Sequence, residues 1–213
     1  MTGRTLDFHY DLLSPFAHVA LKRLGELPGD VTVRPVPVLL GAILAHWGQR
    51  GPAEISAKRL HTYRLSVFLG VKYGLAMRFP PRHPFNPLKA LRLLAGSDAD
   101  LATVGRAFDF VFGEGRAPDT DDELAAFAEA TGLPVALADD PAAKAALRAN
   151  TDRAIARGVF GVPSFVVETA SGHEVFWGVD AVDMLLAWLE DETLFEREPY
   201  CHLEDVTVGI ERK

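Results

Sequence analysis

The stretch Asp11-Leu-Leu-Ser14-Pro15-Phe16 carries the most suggestive chemistry of the chain. Serine is a favoured helix N-cap and proline suits the first helical position, so a helix is predicted from Pro15 to about Leu24, ending at Gly25. Such a helix start leaves backbone N–H groups unpaired and carries the positive end of the helix dipole, which favours an anion beside Ser14. The same residues also make an ordinary cap. A second motif, Gly161-Val162-Pro163-Ser164-Phe165, leads directly into a β-like run. Only about 5–6% of X–Pro bonds in folded proteins are cis, so this proline gains meaning from its place in the topology rather than by itself. The GxSxG pattern is absent, which argues against Ser14 as a hydrolase nucleophile. The seven histidines are scattered, with no His or Cys pair at a ligand spacing beside a matched second pair, and no metal site is expected.

The elements that must hold these motifs follow from periodicity. Leu6, Phe8 and Tyr10 alternate with polar neighbours as in a half-buried strand, and Val31, Val33, Val36 and Val38 form a second β-rich run beyond the Pro28-Gly29 turn. From Leu39 to Gly158 the punctuation is that of helices. These are predicted over Ile55 to Tyr73 with Gly74 as C-cap, Asn86-Pro87 through Leu94, Leu101 to Phe112, Leu124 to Ala130 after a Thr120/Glu123 capping box, and Pro141 to Arg157. Arg78 to Pro87, with four prolines, reads as an ordered loop. β pattern returns at Ser164 to Glu168 and His173 to Trp177, and Asp180 then caps a helix with Val182, Leu185, Leu186 and Leu189 on one face. The order βαβ, helical block, ββα predicts an α/β, thioredoxin-like fold with a large all-helical insertion. Residues 1–40 and 156–200 would form the discontinuous thioredoxin-like domain, 41–155 the insertion and 201–213 a C-terminal tail.

A chain of 213 residues can bury about 70% of its surface and needs no covalent staples. Its single cysteine, Cys201, excludes an internal disulfide framework and a CxxC redox pair, which makes the cytoplasm the expected compartment. The first residues show no secretion pattern, and no stretch approaches the ~20 apolar residues of a membrane span. A formal charge of −7 without a long basic run argues against nucleic acid as a partner.

Taken together and in order, Ser14-Pro15-Phe16, Val159-Phe160-Gly161-Val162-Pro163 and Phe176-Trp177-Gly178-Val179-Asp180 resemble the 2-hydroxychromene-2-carboxylate isomerases. That family is related to kappa-class glutathione transferases and more distantly to bacterial disulfide oxidoreductases. The resemblance implies a homodimer that uses glutathione as cofactor and interconverts 2-hydroxychromene-2-carboxylate and trans-o-hydroxybenzylidenepyruvate. It implies that Ser14 holds the glutathione sulfur, that Val162 binds the glutathione backbone beside a cis Pro163, and that Asp180, with the Val179 backbone, receives the γ-glutamyl end. Asp180 is equally an N-cap candidate. Gln49 stands where the family has an asparagine, and Lys58 would meet the glycyl carboxylate unless it is simply solvated. The loop from His83 to Pro87 becomes a wall for an aromatic 2-oxo acid or chromene carboxylate, with Phe85 and Asn86 as contacts and Asn86 also placed to cap a helix. His18, one turn after Ser14, could face the same site.

Energetics fit a thiolate-stabilising role for Ser14. A thiol with pKa near ~8.5 is only about 3% ionised at pH 7. Lowering that pKa by about two units takes roughly 2.7 kcal/mol. A charge-assisted hydrogen bond supplies about 1.5–3 kcal/mol and a helix end about 0.3–1 kcal/mol. The implied chemistry is reversible addition of the thiolate to the conjugated substrate, rotation about the resulting single bond, and loss of the thiolate. A kappa-like transferase that releases a conjugate and a noncatalytic peptide-binding module are the alternatives.

Overall fold

The computed structural model describes residues 4–210. Residues 1–3 and 211–213, the outer ends of the first predicted segment and of the tail, lie outside the described residues. Strand β1 (Arg4–Tyr10), helix α1 (Pro15–Arg23) and strand β2 (Val31–Pro37) open the chain. A helical block follows: α2 (Leu40–His46), α3 (Ser56–Lys72), α4 (Leu88–Gly96), α5 (Leu101–Phe108), α6 (Asp121–Thr131) and α7 (Pro141–Ala156). Strands β3 (Ser164–Thr169) and β4 (Gly172–Trp177) and helix α8 (Ala181–Glu190) close the fold. The four strands form one sheet in the order β2-β1-β3-β4. β1 runs parallel to β2 and antiparallel to β3, with Phe8 opposite Phe165 and Phe165 opposite Phe176. This is the predicted βαβ, helical block, ββα order.

β1 departs from the half-buried strand its alternation predicts, because Leu6 to Tyr10 are all buried. Leu6, Phe8 and Tyr10 join the main core with α1, α4, α5 and α8 side chains. The other face is covered by a smaller cluster that includes Val36, Ile43 of α2, Ala154 of α7 and Val166. Asp7 keeps its charge there because Arg34 and Arg157 donate to it at 2.7 and 2.9 Å, and those guanidinium groups hold its carboxyl below the usual range against the opposing effect of burial. Next to it, burial pushes His9 down to about 4, so that it stays neutral.

Three local features differ from the sequence expectations. Helix α2 was not anticipated: it is short and lacks a side-chain cap of its own, and its Leu40 N–H is instead taken by the Asp11 carboxylate at 2.8 Å. The helix expected from Leu101 to Phe112 is α-helical only to Phe108 and then widens into a π turn over Asp109–Gly113. Asp180 stands at the start of α8 in helical backbone conformation and its side chain caps nothing, so the predicted cap is corrected.

Candidate active site

Ser14 ends the turn that leaves β1 and occupies the N-cap of α1 in extended conformation. Its Oγ accepts from Ala17 N at 3.2 Å and donates to the Val162 carbonyl at 3.3 Å. The Val162–Pro163 bond is cis, and the Pro163 carbonyl accepts from Gly178 N at 2.9 Å, so the loops on either side of the β3–β4 hairpin meet beside the helix start. The turn itself is clamped from within. Asp11, fully buried, accepts from Leu13 N at 2.9 Å through one oxygen and from Leu40 N through the other, while Ser14 N donates to the Asp11 carbonyl at 2.9 Å. Burial pushes the Asp11 carboxyl up to about 6 against the opposing pull of the two N–H groups.

Ser14 opens into a cavity of about 460 Å³, a size suited to a small ligand, between the start of α1, the α2–α3 connection, α3 and the loop before β3. Three kinds of side chain line it. Arg50 and Lys58 bring two positive charges and Glu54 one negative, a net cationic lining in an anionic protein. Phe160 and Trp177 form an aromatic wall, their rings 5.0 Å apart and tilted by 57°. Gly161 lets Trp177 lie close to the backbone, since a Cβ there would stand 2.6 Å from the indole Nε1. Tyr63 of α3 and His83 complete the rim as a hydrogen-bonded pair. His83 Nε2 lies 2.8 Å from the Leu13 carbonyl, which can only accept, so this nitrogen carries the proton. The Tyr63 hydroxyl stands 2.9 Å from His83 Nδ1 and 2.9 Å from the His83 carbonyl. Burial lowers the pKa of the His83 ring and raises that of the Tyr63 phenol.

Of the residues singled out from sequence, Ser14, Gln49, Lys58 and Val162 line this cavity, and Pro163 adjoins it. Val179 and Asp180 are off its wall. The Val179 carbonyl is held by Arg23 at 2.9 Å, and Asp180 is exposed. Phe85 is corrected as a wall residue: its ring is buried in the main core behind His83, at 6.3 Å between centroids. Asn86 likewise lies outside the lining, exposed, where its Oδ1 accepts from Leu88 N at 3.1 Å and so serves the start of α4. His18 faces the π turn instead, stacked on Phe108 and 3.4 Å from the Asp109 carboxylate. It borders a separate, more open hollow of about 690 Å³ that runs from Leu21 to Val33 and does not reach Ser14. Tyr63, Phe160 and Trp177 were missed as site residues, although Phe160 and Trp177 stand inside motifs already noted. Outside the cavity lining, Glu198, Cys201 and His202 bring potential ligand atoms within 4.8 Å of one another on the exposed tail.

A family model for the DSBA-like thioredoxin domain matches residues 5–190. A 2-hydroxychromene-2-carboxylate isomerase from Sphingobium xenophagum is 30% identical, with 88% of this chain and 99% of that protein aligned. One from Pseudomonas putida is 32% identical over 84% of this chain and 91% of its own. The chain belongs to the 2-hydroxychromene-2-carboxylate isomerase family. A solved structure of such an isomerase superposes with a TM-score of 0.76 at 26% identity, covering 96% of this chain and all of the other. Isomerase-family membership accords with serine at position 14, where a thiol redox partner would need cysteine, and with the lone Cys201 lying exposed in the tail. Among the described residues, no helix is long and apolar enough to cross a membrane.

Proposed function

We propose that this chain is a glutathione-dependent isomerase that interconverts 2-hydroxychromene-2-carboxylate and trans-o-hydroxybenzylidenepyruvate. The observation that carries the reading is the Ser14 hydroxyl, seated at a helix N-cap inside the cavity and 3.3 Å from the carbonyl that precedes a cis proline. The donor set suits glutathione: a hydroxyl and a helix dipole for a thiolate, a backbone carbonyl for an amide, and Arg50 and Lys58 for carboxylates. When bound, glutathione would supply a reversible sulfur nucleophile. Ser14 would turn its hydroxyl from Val162 toward that sulfur and favour its anion. Gln49 and Lys58 would hold the glycyl end, and at the γ-glutamyl end the Asp180 carboxylate would accept from the ammonium while the Val179 N–H would donate to the carboxylate. The aromatic substrate would lie against Phe160 and Trp177, in a cavity that Pro84 also lines.

We further propose a homodimer, supported by the exposed Leu60, Phe68 and Val71 on α3. Its compartment would be the cytoplasm, whose reducing glutathione pool keeps such a cofactor available. Sedimentation of the purified protein tests the dimer.

The activity is tested by following the two isomers in the ultraviolet with and without glutathione, using mass spectrometry to look for a lasting conjugate. Glutathione-dependent equilibration without a conjugate is expected, whereas an accumulating conjugate would make the chain a transferase. Ser14→Ala should cost about 0.5–2 kcal/mol of stability through the lost cap. Loss of a charge-assisted bond of about 1.5–3 kcal/mol should slow turnover roughly 10- to 150-fold. Unchanged turnover in folded Ser14→Ala would remove Ser14 from the mechanism.

A further inference from the structure

The Tyr63–His83 pair has two ways of satisfying its hydrogen bonds, and that is what a proton relay requires. With His83 neutral, Nε2–H donates to the Leu13 carbonyl and the Tyr63 hydroxyl donates to Nδ1. With a second proton on His83, Nδ1–H donates back to the phenol oxygen, and the Tyr63 hydroxyl turns to the His83 carbonyl, which lies at the same 2.9 Å. No polar atom of the pair is stranded in either state. Both side chains line the cavity that holds Ser14, and burial disfavours the charged forms of both, so a proton taken up by the imidazole is readily given back.

The proposed substrate needs such a relay at a step that sulfur chemistry does not serve. A 2-hydroxychromene is a hemiketal, with a hydroxyl and the ring oxygen on the same carbon. It must open to a ketone and a phenol before its double bond can become that of the open-chain product. Opening removes a proton from the hydroxyl and delivers one to the ring oxygen.

Resting on the isomerase reading, we infer that Tyr63 is the acid–base catalyst of ring opening and that His83 is its proton store. The hemiketal proton passes to the Tyr63 oxygen while the Tyr63 proton passes to His83 Nδ1. The electron pair of the hemiketal O–H bond becomes the second bond of the ketone, and the pair of the breaking carbon–oxygen bond stays on the departing phenolic oxygen. That oxygen then takes a proton from Tyr63 as His83 returns its own to Tyr63. One O–H bond is broken and one formed, the relay ends as it began, and no oxidant or reductant is consumed.

The test compares two substrates with glutathione present: 2-hydroxychromene-2-carboxylate, and the cis isomer of benzylidenepyruvate, which lacks the ortho hydroxyl and so has no ring to open. General acid–base catalysis contributes about 10²–10⁴-fold. Tyr63→Phe should therefore slow the chromene reaction at least ~100-fold more than the cis–trans reaction of the open compound. His83→Gln, which keeps a donor for the Leu13 carbonyl but is a far weaker base, should show the same split. Ser14→Ala should slow both substrates alike. Activity on the open compound also shows that each variant is folded. Equal losses on the two substrates in Tyr63→Phe would overturn the relay and leave Tyr63 as a wall. Failure of the wild type to isomerise even the open compound would overturn the isomerase reading beneath it.

Discussion

Replacing Asp11 by asparagine removes a buried charge while nearly keeping the size of the side chain. Asp11 is fully buried between the Ser14 turn and the start of α2, and burial pushes its carboxyl from 3.8 up to about 6. A raised carboxyl pKa means that the folded state binds the proton more tightly than the unfolded chain. The associated stability is present below pH ~4 and is lost as pH rises through ~6, about 3 kcal/mol in all. His9, two residues earlier in β1, works in the opposite sense. Its pKa falls from 6.5 to about 4, so stability present above pH ~6.5 is lost as pH falls toward ~4, again by about 3 kcal/mol. Over pH 4–7 the two contributions nearly cancel in the wild type. Asp11→Asn removes the charge but sets an NH2 against one of the two N–H groups, a loss of about 1–3 kcal/mol, so it should lie below the wild type by that amount near pH 4 and gain up to about 3 kcal/mol on it between pH 4 and 7. It should also unmask His9, so that the variant loses stability steadily from pH 7 to 4. Urea denaturation at half-unit pH intervals measures both curves. Parallel profiles for the two proteins would refute the reasoning and show that the Leu13 and Leu40 N–H bonds offset the cost of the buried charge.

Gly161→Ala should displace Trp177, because the new Cβ would fall 2.6 Å from its indole nitrogen. Tryptophan fluorescence should shift and KM for the aromatic substrate should rise, with little change in melting temperature. Arg23→Ala should cost about 2–3 kcal/mol in thermal unfolding, since it strands the buried Val179 carbonyl and breaks the ion pairs to Glu26 and Asp183. It should also weaken glutathione binding measured by calorimetry if the 179–180 segment contacts the ligand. Lys58→Ala should weaken glutathione binding about 2- to 10-fold at low salt and less at high salt, and salt-independent affinity in both proteins would show that this charge does not face the ligand.

What sequence made legible was local. Ser14-Pro15 announced a helix start, Val162-Pro163 a strand entry and Thr120 a helix cap, because each signal is complete within a few residues, whereas the Glu123 half of the expected capping box is taken up by Arg116. What it hid was held by distant partners. α2 has no cap of its own, and its N–H is met by Asp11 from the turn after β1. β1 looked half-exposed because Asp7 and His9 are polar, yet Arg34 and Arg157, from β2 and the end of α7, allow Asp7 to be buried. Tyr63 and His83 belong to a helix and a proline-rich loop, and nothing in either segment marks the other as its partner. Phe85 shared a motif with His83 and Pro84, but that stretch sends His83 and Pro84 to the cavity and Phe85 to the core, a distinction that one-dimensional spacing does not carry.

The contact between Ser14 and Val162 joins residues 148 positions apart. For a chain emerging from the ribosome, the helix start is present early, while the carbonyl that faces it and the aromatic wall at Phe160 and Trp177 arrive only after the whole helical block has been made. β1 must likewise wait for β3 before its second edge is covered. A chain released before residue 160 would carry Ser14 without the far side of its pocket, an exposed strand edge and little means of holding a ligand. Binding of the proposed ligand would therefore act as a receipt for synthesis as far as Trp177: only a chain made to that point would gain its stabilisation, and the ligand would tie the first motif to the last.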